Sequence, residues 1–142
     1  MIFMEKITEG RTITETDIVM FSYFTGDWTF LHTDKEASAK SMFGERIAHG
    51  YLTLSVSLGL MVRSAAIDTE KFIALRSIEN VRFHKPVKIG DTIKVNYAVG
   101  RKEERPGTEN VFISAKTFNQ QNECVMEFQT IHLERKSGEE NK

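Results

Sequence analysis

The segment Thr25-Gly26-Asp27-Trp28-Thr29-Phe30-Leu31-His32 sets a carboxylate and an imidazole five residues apart, behind a glycine and among bulky apolar side chains. Meeting in dry surroundings, the two make an acid–base pair able to move the protons of one water molecule. A five-residue gap turns about 140° on a helix and falls on opposite faces of a strand, so Asp27 and His32 converge only where an irregular loop carries them. An Asp that caps a turn and a His satisfied inside a core fit the same pattern, and spacing alone leaves both readings open. His49-Gly50 is a second candidate because it opens a long apolar segment. If a helix starts there, its first amides are unpaired and its dipole favours negative charge, although a plain helix start explains the pair equally well.

Other candidates carry less. His84, in Arg82-Phe83-His84-Lys85-Pro86-Val87-Lys88, fits a basic rim for phosphates, but a solvated strand end accounts for it more simply. His132 and Cys124 have no partner spacing that suggests ligation or nucleophilic attack, and neither is assigned a role.

These groups need elements to position them. Thr14 can cap a helix by accepting from the amide of Asp17, with Ile18, Phe21 and Phe24 following at helical spacing and Gly26 closing it. Asp34 can cap a second short helix over Lys35 to Lys40, which leaves residues 27 to 33 irregular. From Gly50 to Ala66 two patterns compete. Leu52, Leu54, Val56, Leu58 and Leu60 alternate as in a strand, whereas Tyr51, Leu54, Leu58, Met61, Val62 and Ala65 make a helical stripe. The segment is too long for an ordinary strand, so a buried helix is expected, with Thr53, Ser57 and Ser64 on a small-residue face open to close approach by another backbone. Strands follow over Phe72 to Phe83, around Ile93, Val95, Tyr97 and Val99, over Val111 to Phe118, and over Cys124 to Leu133. Pro106-Gly107 suits a type II turn, Gly90-Asp91 marks another, and the tail after Glu134 is expected to fray. A short N-terminal strand is also possible. This order gives an α+β antiparallel sheet wrapped around one helix, and a second subunit is expected to cover what five strands leave open.

A composition 40% hydrophobic and 27% charged is that of an ordinary globular chain, and 142 residues suffice for one domain, 1-142. Nineteen Lys and Arg against twenty Asp and Glu offer no broad attraction for nucleic acid or an anionic bilayer. The stretch free of charged side chains, Ile47 to Val62, is shorter than the roughly 18 residues of a membrane helix. The single cysteine cannot form an internal disulfide and the first residues lack a signal-peptide pattern, so a cytoplasmic location is expected.

Three ordered motifs, GDWTFLHTD, FGERIAHGYLTLS and RFHKPVKIGD, together resemble the MaoC-like dehydratase family, which includes the R-specific enoyl-CoA hydratases. The resemblance spans most of the chain and implies a hotdog fold, an antiparallel sheet wrapped around a long central helix. It implies a reversible addition of water to a trans-2-enoyl thioester of CoA or an acyl carrier, giving the 3-hydroxyacyl thioester. Asp27 and His32 would be the catalytic pair sharing one water, Gly50 the oxyanion-hole donor, and His49 a substrate-binding neighbour. No metal or cofactor is implied, CoA being part of the substrate, and the expected assembly is a homodimer or higher homo-oligomer. For Asp27 to act as a base, it should accept few strong hydrogen bonds and be desolvated by Trp28, Phe30 and Leu31. Many family members carry Asn-Pro where this chain has Thr29-Phe30, and some place a serine where it has Leu58. A hotdog thioesterase and a non-catalytic acyl-CoA binding module are the alternatives. Many such thioesterases carry a working carboxylate on the central helix, and the absence of Asp and Glu from Ile47 to Val62 counts against that type.

Overall fold

The computed structural model describes residues 5–136, with the side chains of 101–103 left aside. Two short strands, β1 (Glu5–Ile7) and β2 (Arg11–Thr12), precede the helices α1 (Glu15–Thr25), α2 (Phe30–Thr33), α3 (Lys35–Ala39) and α4 (Gly50–Arg63). Four long strands follow: β3 (Phe72–Phe83), β4 (Thr92–Arg105), β5 (Thr108–Phe118) and β6 (Cys124–Arg135). Every pairing is antiparallel, the order across the sheet is β1-β4-β5-β6-β3, and β2 pairs with β4. The sheet curls around α4 in the expected hotdog arrangement.

Local chemistry sets the boundaries. Thr14 and Asp17 form a reciprocal capping box, each side chain accepting from the other's backbone amide, and Gly26 ends α1 with a left-handed φ of 81°. Asp34 accepts from the Ala37 amide at 2.9 Å and starts α3. Gly107, at φ 75°, makes the positive-φ position of the two-residue turn between β4 and β5. One expectation fails here: residues 27 to 33 are not wholly irregular, since 30–33 form one helical turn in which the Asp34 amide donates to the Phe30 carbonyl at 3.0 Å. β6 also runs to Arg135, past the point where fraying was expected; residues 1–4 and 137–142 lie outside the described residues.

The long apolar segment is a helix, because only that conformation pairs its own backbone while one face packs on the sheet. Its buried face is Leu52, Thr53, Val56, Ser57, Leu60 and Met61, set against Ile93, Val95, Ile113, Val125 and Phe128. The expected stripe is therefore misplaced. Tyr51, Val62 and Ala65 are exposed and Leu54 and Leu58 only half-buried, with Met61 alone fully inside. The reason is distance of approach: the sheet takes the face carrying small residues, where Ser57 Oγ meets Thr117 Oγ1 of β5 at 2.8 Å and Ser64 Oγ meets the Tyr97 hydroxyl at 2.7 Å. On α1, Ile18 is buried and Phe21 half-buried, but Phe24 is 88% exposed, since α1 lies on the surface and turns that residue outward.

Each fully buried aliphatic side chain of α4 contributes roughly 1.5–3 kcal/mol as an upper bound. A bulkier side chain at the closest approach has nowhere to go. Ser57→Leu is expected to destabilise the fold by about 1–3 kcal/mol, read from the midpoint of urea unfolding at unchanged slope.

Candidate active site

One short backbone segment organises the site. The Ile47 amide donates to the Leu31 carbonyl at 3.0 Å, the Ala48 amide donates to the Val87 carbonyl at 2.7 Å, and Ile47 bridges Lys88. His32 Nδ1 lies 2.7 Å from the Ile47 carbonyl oxygen. A carbonyl only accepts, so Nδ1 carries the hydrogen and the neutral imidazole presents a bare lone pair at Nε2. Arg46 reinforces the turn, donating from Nε to the His32 carbonyl at 2.7 Å and pairing with Glu15 at 2.8 Å.

Asp27 follows the left-handed Gly26 at the end of α1. Its Oδ1 accepts from the Thr29 amide at 3.0 Å and from the Thr29 hydroxyl, and its Oδ2 accepts from the Tyr51 hydroxyl. His49 is fully buried and stacks on His32 with ring centroids 3.9 Å apart. Its Nε2 lies 3.1 Å from Ser22 Oγ and 3.3 Å from the Asp27 carbonyl oxygen, so it links α1, the Asp27 turn and the start of α4. Three of the four expected residues, Asp27, His32 and His49, therefore come together, and Gly50 follows His49 in the chain. One ligating atom each from Asp27, His32 and His49 lies within 4.8 Å of the others, room for one bridging water, and Gly50 is the first residue of α4. The trio also has the donor types of a divalent-cation site. His132, buried on β6, pairs instead with Glu134 at 3.1 Å, and His84 is half-exposed beside Glu127 at 3.5 Å.

Electrostatics correct one expectation. The Asp27 carboxyl is held far below the ordinary carboxylate range, first by the Thr29 hydroxyl, then by the Tyr51 hydroxyl and the Thr29 amide, each of which stabilises the anion. Trp28 and Phe30 are about half exposed, so in this chain the desolvation expected from them is slight. His49 is pushed the other way from charge, its proton affinity lowered by burial and by His32. Tyr51 and Thr29 are the residues that the sequence did not point to. The signal was present in the helical phase, because position 51 is the second residue of α4 and projects at its mouth, but its ring reads as core in any apolar stripe.

A cavity of about 300 Å³ opens beside Gly50, walled by Phe43, Ala48, Thr53, Phe83, Pro86 and Val87 among others; of the four expected site residues Gly50 lines it, and Asp27, His32 and His49 do not. The larger hollow of about 510 Å³ on the outer face of the sheet contains none of Asp27, His32, His49 or Gly50.

Residues 5–120 match the family described as MaoC like domain. The chain is 46% identical over 96 residues to Protein MaoC of Klebsiella aerogenes, a match covering 68% of this chain and 28% of that much longer protein. It is 31% identical over 113 residues to 3-hydroxyacyl-thioester dehydratase Z of Mycobacterium tuberculosis, covering 78% of this chain and 75% of the relative. Among solved structures, a monoamine oxidase regulatory protein from Archaeoglobus superposes with a TM-score of 0.91 at 37% identity, over 96% of this chain and 92% of the other.

Removing the Tyr51 hydroxyl removes one of the three donors to Asp27. In Tyr51→Phe the Asp27 carboxyl is expected to titrate at higher pH, toward the ordinary value, as followed by the carboxyl carbon shift in an NMR titration.

Proposed function

This chain belongs to the MaoC-like dehydratase family, and we propose that it reversibly adds water to a trans-2-enoyl thioester, giving the 3-hydroxyacyl thioester, at the site built around Asp27 and His32. The observation that carries the reading is the convergence of a carboxylate and an imidazole with a free Nε2 at the start of a helix whose first residue, Gly50, lines an apolar cavity.

In the hydration direction, one water lies between Asp27 and His32. His32 Nε2 takes one of its protons as the water oxygen bonds to C3 of the enoyl chain. The π electrons move toward the thioester carbonyl, whose oxygen gains negative charge. The amide of Gly50, at the first position of α4, has no intrahelical acceptor and receives that charge with the help of the helix dipole. The His32 imidazolium then returns its proton to C2, so the atoms of one water are added and the site is restored. Asp27, kept anionic by Thr29 and Tyr51, orients the water through its other hydrogen and stabilises the transient imidazolium. His49 packs under His32 and holds it in place. No cofactor takes part; CoA or an acyl carrier belongs to the substrate.

A second copy of the chain completes the site. β3 lies at the free edge of the sheet with Ile73, Leu75, Ile78 and Phe83 exposed, and the outward stripe of α4, Tyr51, Leu54, Leu58 and Val62, is only partly covered by the described residues. An apolar edge strand and an apolar helix face left partly uncovered fit a homodimer. No helix among the described residues is long and apolar enough to cross a membrane, and the protein acts in the cytoplasm as one domain in this reading.

A short trans-2-enoyl-CoA tests the reading: hydration removes the conjugated absorbance, whereas thioester hydrolysis releases free thiol and a binding module does neither. Asp27→Asn and His32→Ala are each expected to lower kcat/KM by roughly a hundred- to ten-thousandfold while the protein stays folded. Both variants retaining full activity would sink the assignment. In Gly50→Ala the new Cβ would meet Phe83 Cζ at 2.9 Å, so the ring must shift. The backbone amide is retained in that variant, so steady-state kinetics should show turnover falling through displacement of the Phe83 ring beside the amide rather than through loss of the donor itself.

A further inference from the structure

On the outer face of the sheet, away from Asp27 and His32, a second group of chemically potent side chains meets. His84 follows the last residue of β3, and its amide donates to the Val125 carbonyl of β6 at 2.8 Å. Cys124 and Glu127 belong to β6 itself. Residues three apart on a regular strand face opposite sides, so Cys124 and Glu127 should not meet. A bulge brings them together. Opposite the single step from Thr117 to Phe118, β6 advances from Met126 back to Cys124, leaving Val125 as the extra residue. Val125 and Met126 are both fully buried on the core side as a result, and Cys124 and Glu127 both emerge on the outer side.

One ligating atom each of His84, Cys124 and Glu127 lies within 4.8 Å of the others. His84 Nε2 and Glu127 Oε2 are 3.5 Å apart. Around a tetrahedral zinc ion, with bonds of about 2.0–2.3 Å to nitrogen, oxygen and sulfur, neighbouring donors stand about 3.3–3.7 Å apart. The imidazole and carboxylate already have that separation, and the thiol, which makes a weak 3.6 Å contact with the Met126 carbonyl, must leave it to close on them. All three groups are partly open to solvent, so a cation can enter without unfolding anything. The charged neighbours do not close the site. Lys85 is engaged with Glu123, and Lys116, opposite Glu127 in the β5–β6 register, is exposed and free to turn outward.

We propose that His84, Cys124 and Glu127 form a three-ligand site for a thiophilic divalent cation of the zinc class, with water completing the tetrahedron. A sulfur, a nitrogen and a single carboxylate suit zinc or cobalt and disfavour magnesium or calcium, which prefer all-oxygen shells. The site does not depend on the hydratase reading, although His84 also lines the cavity beside Gly50, so that an occupied site would tie the cavity's lip to β6.

Titration of the 142-residue chain with cobalt(II) reads the site directly, because a thiolate ligand gives a sulfur-to-cobalt charge-transfer band in the near ultraviolet that imidazole and carboxylate ligands do not. The expected result is a saturable band at one cobalt per chain, displaced by zinc and unmoved by excess magnesium. Cys124→Ser should abolish the band, and His84→Ala should weaken cobalt binding by about tenfold or more, a modest share of what a full structural zinc site provides. His32→Ala separates this site from the Asp27, His32 and His49 trio, and is expected to keep the band. Absence of a saturable band in the folded protein, its persistence in Cys124→Ser, or its loss in His32→Ala would each overturn the proposal.

Discussion

The fixed path of Ile47 and Ala48 is the constraint on which the site depends. Two residues of extended backbone are held from one side by Leu31 and His32 and from the other by Val87 and Lys88. Each of those hydrogen bonds is worth only about 0.5–1.5 kcal/mol net, but together they decide geometry rather than stability. They choose the tautomer of His32, place His49 beneath it and aim the first amide of α4. A displaced Ile47 carbonyl would leave the imidazole free to protonate on either nitrogen, and the lone pair would no longer be committed to the side on which Asp27 stands.

The two ionisable partners reach complementary states by different physics. Asp27 is anionic because three donors from Thr29 and Tyr51 stabilise its charge, outweighing the slight desolvation that opposes it. His49 is kept neutral because burial and the adjacent ring of His32 oppose a proton. Such a carboxylate is a weak base and a good electrostatic anchor, which is why the proposed chemistry gives proton transfer to His32 and orientation to Asp27.

Much of this was legible in the sequence. Thr14, Gly26, Asp34 and Gly107 announce boundaries because capping and positive φ are local chemistry, and the structure uses all four as read. The alternation of Ile93, Val95 and Tyr97 similarly fixes the buried face of β4. What failed depends on contacts between distant residues. Which face of α4 turns inward is decided by Ser57 meeting Thr117 sixty residues away, and a helix apolar on two sides gives no local hint. The helical turn at 30–33 and the clasp of Tyr51 on Asp27 were missed for the same reason, since both follow from how loops close over the start of α4. The bulge at Val125 left no mark in the residue pattern, because Val125 and Met126 are two apolar residues in a row that any strand can contain.

Gly50 shows how tightly fold and site are joined. Its backbone adopts helical geometry that any residue can take, so the usual reason for a glycine, freedom of φ, does not apply. Space is the reason. The Phe83 ring packs so closely on the glycine that a Cβ would sit 2.9 Å from Cζ, and that ring is also a wall of the cavity. Close packing there brings the ring against the first residue of α4 with no side chain in between, so the proposed oxyanion donor and the cavity wall share one contact. The same missing carbon that lets α4 meet the end of β3 thus also keeps the first amide of the helix clear of a side chain, and in the proposed reaction a preorganised donor acts on the charge that develops on oxygen.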